Sequence, residues 1–168
     1  DPALLAELGP ADRPRILTVS RLQEAYKGHD IVLEAMTRLR AASMPLTYLI
    51  AGDGPDRPRL ERLARDHGLE DAVVFLGNVP DVLKSMTGEI TRPVSLLLGE
   101  PLARNGQRAD LLRMDRTFCH DVLISAVMRL QQALGPQVIL AEYIWMTRIL
   151  PLVPNHVVKV VDTHDVFS

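Results

Sequence analysis

Cysteine is nearly absent: Cys119 is the only one in 168 residues. A single thiol excludes an intrachain disulfide framework and points to a reducing, cytoplasmic setting. Its neighbour is His120, but an adjacent Cys-His pair reads as packing when no further group activates the thiol. Aromatic residues make up only 4%, too few for a base-stacking platform. Excess positive charge is missing as well. The formal net charge is -2, so no global basic field draws nucleic acid. The most apolar late stretch, Gln137 to Val153, is broken by Glu142, Arg148 and Pro151, and it falls short of the about 20 apolar residues of a membrane span. The five histidines (His29, His67, His120, His156, His164) show no metal-ligand spacing, so no metal is expected. Asp162, His164 and Asp165 gather no further ligands, and a structural or ligand-contacting role suits them better. There is no Walker loop and no nucleophile elbow. The chain opens on Asp1-Pro2 without an apolar signal region and stops at Val166-Phe167-Ser168, directly after a strand-like run. Both ends read as cuts through a longer protein.

What is present is an alternation of strand and helix patterns. Apolar residues at 47% and charged residues at 24% suit one globular domain with a sizeable core. Ile16 to Val19 is a short apolar run that enters a polar loop. Asp30 to Ala42 has helical periodicity, with Ile31, Ala35, Leu39 and Ala42 on one face, Val32 and Met36 beside them, and Glu34 and Arg38 paired outside. Leu46 to Ala51 reads as a buried strand closed by the turn Gly52-Asp53-Gly54-Pro55. Asp56 to His67 reads as a helix with Leu60, Leu63 and Ala64 inward and Gly68 as its stop. Ala72 to Leu76 is a third strand.

Pro80 to Met86 suggests a short helix, and Pro93 to Leu98 has strand length. Gly99 to Thr117 is polar and reads as a loop or a poorly formed helix. Leu123, Ala126, Val127, Leu130 and Leu134 then form a stripe that ends at Gly135-Pro136. Val138 to Leu140 is a strand, Tyr143 to Leu150 a short helix and Val157 to Val161 another strand. The expected fold is therefore α/β and Rossmann-like, with a mostly parallel sheet and helices on both faces. Its strands fall near residues 15–19, 46–51, 72–76, 93–98, 137–141 and 157–161.

The chemistry concentrates where the first strand gives way to the first helix. Arg21, in Ser20-Arg21-Leu22, and Lys27, in Lys27-Gly28, lie on that one loop. Cations where a parallel strand feeds a helix suit an anionic group such as a diphosphate. Gly28 lets the backbone approach such a group closely. By residue type alone, Arg21 and Lys27 read better as solvated surface charges, since exposed Arg and Lys are ordinary. Phe75-Leu76-Gly77 ends a strand, where open α/β sheets bind nucleotides. Gly52-x-Gly54 is a weak phosphate-loop signal, because a turn before a helix explains it.

Five motifs then stand together in order: Arg15-Ile-Leu-Thr-Val-Ser-Arg-Leu22, Lys27-Gly28, Leu33-Glu34-Ala35, Leu49-Ile-Ala-Gly-Asp-Gly-Pro55 and Val74-Phe-Leu-Gly77. With these, residues 15–81 resemble the start of the nucleotide-sugar-binding domain of family-four retaining glycosyltransferases, which have the GT-B fold. The resemblance implies that Arg21 and Lys27 bind the donor's diphosphate. It also implies that backbone groups around Phe75, Leu76 and Gly77 meet the base. Residues 137–168 resemble the later part of the same enzymes' N-terminal, acceptor-side domain. There the resemblance makes His164 the histidine that reaches the sugar-transfer site, as a catalytic residue. Taken alone, that segment reads equally as a helix cap at Asp162 or Thr163 with an incidental histidine.

The two stretches stand in inverted order relative to the family. The family's two glutamates separated by seven residues, which hold the ribose and donor sugar, have no counterpart among Glu7, Glu24, Glu34, Glu61, Glu70, Glu89, Glu100 and Glu142. The family's glycine-rich acceptor loop has none either. The expected organisation is half of a donor-binding domain over residues 1–81, a poorly matched connector over 82–136, and part of an acceptor-side domain over 137–168, or one merged domain 1–168. The expected function is a retaining glycosyltransferase or a fragment of one, with a nucleotide-diphosphate sugar as donor, an unidentified acceptor and no separate cofactor. A non-catalytic nucleotide-sugar binding module and an inactive recombined fragment are the alternatives. No nucleic acid or transmembrane segment is expected. A half-sheet with an open edge would call for a homo-oligomer or a completing partner chain.

Overall fold

The computed structural model describes residues 8, 10, 12–23, 27–78, 121–142 and 144–162. The elements run β1 (Arg15–Val19), α1 (His29–Ala41), β2 (Thr47–Ala51), α2 (Arg57–Asp66), β3 (Val73–Gly77), α3 (Asp121–Leu134), β4 (Val138–Glu142), a 3-10 helix (Ile144–Leu152) and β5 (Val158–Asp162). The five strands form one sheet in the order β3-β2-β1-β4-β5, and every pairing is parallel. This is the doubly wound arrangement: the chain steps outward twice from β1, then returns to pair on β1's other side.

Right-handed crossovers require helices on opposite faces for the two directions of travel, and the packing agrees. On one face Leu33 and Met36 of α1 and Leu60 and Ala64 of α2 pack on Tyr48, Ile50 and Val73. On the other, Ala126, Leu130 and Leu134 of α3 pack on Leu17, Leu49 and Ala51. Also there, Leu123 and Val127 of α3 join Ile139 of β4, Ile149 and Val153 of the 3-10 helix, and Val157. All five residues of β2 are buried, as befits a strand with helices above and below it. The coverage is uneven at one edge. Val158 and Val160 of β5, aligned with Val138 and Leu140 of β4, are 58% and 42% exposed.

The sequence places four of these strands one residue early: β2 begins at Thr47, β3 at Val73, β4 at Val138 and β5 at Val158. The strand expected at 93–98 lies outside the described residues. The stripe expected on α3 is buried at all five positions. On α2, Leu60 and Ala64 are buried and Leu63 packs partly against them. The Glu34–Arg38 pair forms.

The phase of α1 differs from expectation. Ile31 is 65% exposed and Ala35 and Ala42 face solvent, whereas His29, Leu33 and Met36 are the buried residues. The cause is His29. A polar residue holds the first position of the inward stripe, so the helix is rotated relative to a face chosen from apolar residues alone.

Both α1 and α2 stop by the same device. Past α1, the Met44 amide bonds the Leu39 carbonyl and the Ser43 amide bonds the Arg40 carbonyl, with Ser43 at φ 60. Past α2, the Leu69 amide bonds the Ala64 carbonyl and the Gly68 amide bonds the Arg65 carbonyl, with Gly68 at φ 63. These are Schellman closures, and only the second uses the residue that tolerates left-handed backbone.

Candidate functional site

In a sheet of this order, ligands bind outside the carboxyl ends of the strands where the direction of winding reverses, which here is between β1 and β4. The segment leaving β1 at that point is Ser20-Arg21-Leu22-Gln23. Its backbone does not hang free. The Ser20 amide donates to the Ala51 carbonyl at 3.1 Å, the Leu22 amide to the Asp53 carbonyl at 3.1 Å, and the Asp56 amide to the Leu22 carbonyl at 2.8 Å. The segment therefore runs beside the β2–α2 turn as a continuation of the β1–β2 ladder.

The two glycines of that turn make the approach possible. A Cβ on Gly52 would stand 1.6 Å from the Ser20 carbonyl oxygen, and one on Gly54 would stand 2.2 Å from the Leu22 carbonyl oxygen. Gly52-x-Gly54 thus serves the loop that carries Arg21. Leu22, 1% exposed, anchors the segment in the α1–α2 core, while Arg21 projects into solvent.

Lys27 is half-buried and directly precedes Gly28, the N-cap of α1. Gly28 has left-handed backbone (φ 71, ψ 7), and no side-chain hydrogen bond caps the helix there. The N-cap residue thus puts no side-chain oxygen on the helix start, though within the first turn the Ile31 amide donates to Asp30 Oδ1 at 3.0 Å. Asp30 in the first turn works against an anion at this place. Arg59 of α2 stands 3.6 Å from its carboxylate and offsets part of that charge. Arg59 is itself bound through two nitrogens to Asp56 at 2.6 and 2.8 Å. These bonds hold the Asp56 carboxyl below its ordinary value.

Beneath the loop lies a polar chain that the sequence does not single out. Ser20 Oγ is 2.8 Å from His29 Nε2, His29 Nδ1 is 2.8 Å from the Tyr48 hydroxyl, and that hydroxyl donates to Thr18 Oγ1 at 3.2 Å. Thr18 and Tyr48 are fully buried and His29 is 2% exposed. Burial is the main reason that the His29 pKa falls to about 4, aided by Lys27 and Arg59 and opposed by Asp56 and Asp30. The ring is thus neutral at neutral pH. A signal for it does exist in the sequence: His29 precedes Leu33 by one turn and Met36 by two.

Of the other expected site residues, Phe75, Leu76 and Gly77 stand at the carboxyl end of β3, two strands from β1 and so about 10 Å to the side. Phe75 is packed against the α1–α2 core beneath the Arg57 guanidinium, 5.6 Å from the ring centre. Leu76 packs against the α3 side. Their side chains are occupied, which leaves the backbone around Gly77 (φ 78) as what this edge offers. Arg57 is held by Glu61 at 2.7 Å and stands 3.8 Å from Asp53. His164 lies outside the described residues; β5 ends at Asp162, on the same sheet edge as the loop after β1. Among the described residues no group of three metal-ligating side chains occurs, and no helix is long and apolar enough to cross a membrane.

Comparison with known proteins bears on the same stretch. Residues 13–91 match the family described as Glycosyl transferases group 1. Among curated proteins, the chain is 42% identical over 69 residues to an alpha-D-kanosaminyltransferase of Streptomyces kanamyceticus, covering 41% of this chain and 18% of that protein. It is 36% identical over 72 residues to a GDP-mannose-dependent alpha-(1-6)-phosphatidylinositol monomannoside mannosyltransferase of Mycolicibacterium smegmatis, covering 43% of this chain and 19% of the relative. It is 35% identical over 65 residues to a phosphatidylinositol N-acetylglucosaminyltransferase polypeptide of Arabidopsis thaliana, covering 39% and 14%. The chain thus spans about a fifth or less of the length of these relatives.

Proposed function

We propose that this chain is part of a retaining glycosyltransferase, and that its first half holds the diphosphate of a nucleotide-sugar donor with Arg21 and Lys27. The observation that carries the reading is the place of these two cations. One follows β1 at the winding reversal and the other precedes the glycine-capped start of α1. When the bond to a sugar breaks, negative charge builds on the leaving diphosphate. Two cations and a helix N-terminus lower the energy of that charge. The relatives add support: their names specify kanosaminyl, mannosyl and N-acetylglucosaminyl transfer, so what this chain shares with all three need not be the part that reads the sugar.

In this reading backbone groups around Phe75, Leu76 and Gly77 meet the base, and His164 hydrogen-bonds near the transferred sugar, where a neutral imidazole can donate or accept. The acceptor is of unknown class, the setting is cytoplasmic, and residues 1–168 work as one merged unit or with a partner chain. A second reading, binding without transfer, is favoured by one observation: no two of the chain's eight glutamates are separated by seven residues, so the pair that would hold ribose and sugar is missing.

Calorimetry with UDP, GDP and ADP on the wild type, Arg21→Ala and Lys27→Ala tests the diphosphate site. Each substitution is expected to weaken binding about tenfold or more, since a charge-assisted hydrogen bond contributes about 1.5–3 kcal/mol. Unchanged affinity would sink the assignment. Release of nucleoside diphosphate from a panel of sugar donors, above the Arg21→Ala background, separates transfer or hydrolysis from binding alone.

A further inference from the structure

The buried chain Thr18–Tyr48–His29–Ser20 runs its protons in one sense or the other, and the sense decides what Ser20 presents. The Tyr48 hydroxyl has one proton, and its 3.2 Å contact with Thr18 Oγ1 is aligned for it to donate there. With the proton placed that way, its 2.8 Å contact with His29 Nδ1 makes the ring nitrogen the donor. A neutral imidazole with its proton on Nδ1 leaves Nε2 as an acceptor. The group 2.8 Å from Nε2 is Ser20 Oγ, so the serine's single proton points inward, to the histidine. Ser20 follows the last residue of β1 and precedes Arg21. Ser20 is half-buried as a residue where the chain leaves β1 at the winding reversal, and in this sense of the chain its oxygen keeps lone pairs and no proton for a ligand.

We propose that His29 is a positioning residue that turns the Ser20 hydroxyl proton inward. Ser20 Oγ then meets a ligand as a hydrogen-bond acceptor and selects a ribose or sugar hydroxyl over a phosphate oxygen. This rests on the diphosphate reading above and divides the labour along one loop. A phosphate oxygen needs donors, which Arg21 and Lys27 supply. A sugar hydroxyl carries a proton and needs an acceptor, which Ser20 supplies. The low basicity of the buried ring is consistent with the arrangement, because a protonated imidazole would turn Nε2 into a donor and reverse the serine.

The test has two arms. Long-range proton–nitrogen NMR of the labelled wild-type protein at pH 7 reads the His29 ring directly. The expected result is a proton on Nδ1 and none on Nε2, with the preference lost in Tyr48→Phe. A proton on Nε2 in the wild type overturns the proposal whatever the protein binds. The second arm uses Ser20→Ala with inorganic pyrophosphate, UDP-glucose and GDP-mannose as probes. Pyrophosphate affinity is expected to stay within twofold, while whichever nucleotide sugar binds is weakened about three- to tenfold, the worth of one neutral hydrogen bond. Equal weakening of pyrophosphate, or no weakening of the nucleotide sugar, overturns the proposal. If the wild type binds none of the three probes, the diphosphate reading fails, and the ring tautomer alone upholds or overturns the direction assigned to Ser20.

Discussion

Lowering the pH from 8 to 5 should destabilise this protein through one residue, His29. In the unfolded chain its imidazole titrates near 6.5, and in the fold near 4. Between those values the unfolded state binds more protons than the folded one, so stability rises with pH across the window. It is complete above about 6.5, falls as the pH drops toward 4, and levels off below that. The whole gap is worth about 3 kcal/mol at about 1.4 kcal/mol per pH unit, of which about 2 kcal/mol is lost by pH 5. Because His29 is 2% exposed, solvent screening takes little from this figure. It is a sizeable part of a typical stability of about 5–15 kcal/mol. The carboxyls of Asp56 and Asp71 are held below their ordinary 3.8 by arginine partners, so their contributions persist above 3.8 and fade only below the window. Urea unfolding followed by circular dichroism at half-unit steps from pH 8 to 5 reads the slope. His29→Gln keeps a neutral polar group of similar reach. It should be less stable than the wild type at pH 8 by about 1–2 kcal/mol, from imperfect hydrogen bonds, yet nearly flat with pH, so that the two curves converge toward pH 5. An equal slope in His29→Gln, or a flat wild-type curve, refutes the reasoning.

Two further perturbations probe the frame around the site. Gly52→Ala forces a methyl group into the Ser20 carbonyl and should cost about 3 kcal/mol or more by pushing the two loops apart; Gly54→Ala should act in the same direction, and a thermal melt of either variant matching the wild type would contradict the close approach. Ser43→Gly relieves left-handed backbone at the end of α1 and should stabilise by about 0.5–1 kcal/mol, whereas Gly68→Ala at the equivalent place after α2 should cost about 1 kcal/mol; chemical denaturation midpoints moving in opposite directions for the two changes is the expected outcome.

Much of the fold was legible because the signals were local. Runs such as Thr47–Ala51 and Val73–Gly77, each closed by a glycine, announce buried strands, and the α3 stripe of Leu123, Ala126, Val127, Leu130 and Leu134 is apolar throughout, with Gln131 the polar residue buried beside it. The rotation of α1 was not legible, because its first inward position is a histidine whose burial depends on Tyr48 and Ser20, residues far away in the chain or assigned to a loop. Strand order was beyond reach for a similar reason. Nothing in Val138-Ile139-Leu140 states that it pairs with Ile16, Leu17 and Thr18; that follows only from which flank of β1 remains open. For the candidate site, Arg21, Lys27 and Gly28 were readable from their place between strand and helix. Ser20 was not, and His29 left only its place one turn before Leu33, since a serine after a strand and a histidine at a helix start are ordinary until a shared contact makes them informative. The side chains of Phe75 and Leu76 belong to the two cores, which residue type suggests but strand facing decides.

The ladder bonds that tie Ser20 and Leu22 to the β2–α2 turn also bear on the thermodynamics of capture. A loose loop that must be ordered by its ligand loses about 1–2 kcal/mol of backbone entropy per residue at the moment of binding. Here those residues are already fixed when the sheet forms, and only the Arg21 side chain, about 1–2 kcal/mol of rotamer freedom, remains to be stilled. An anion arriving at this edge thus meets a backbone set in advance. On this side of the site, recognition should proceed without a slow ordering phase, limited by encounter and by the settling of one guanidinium.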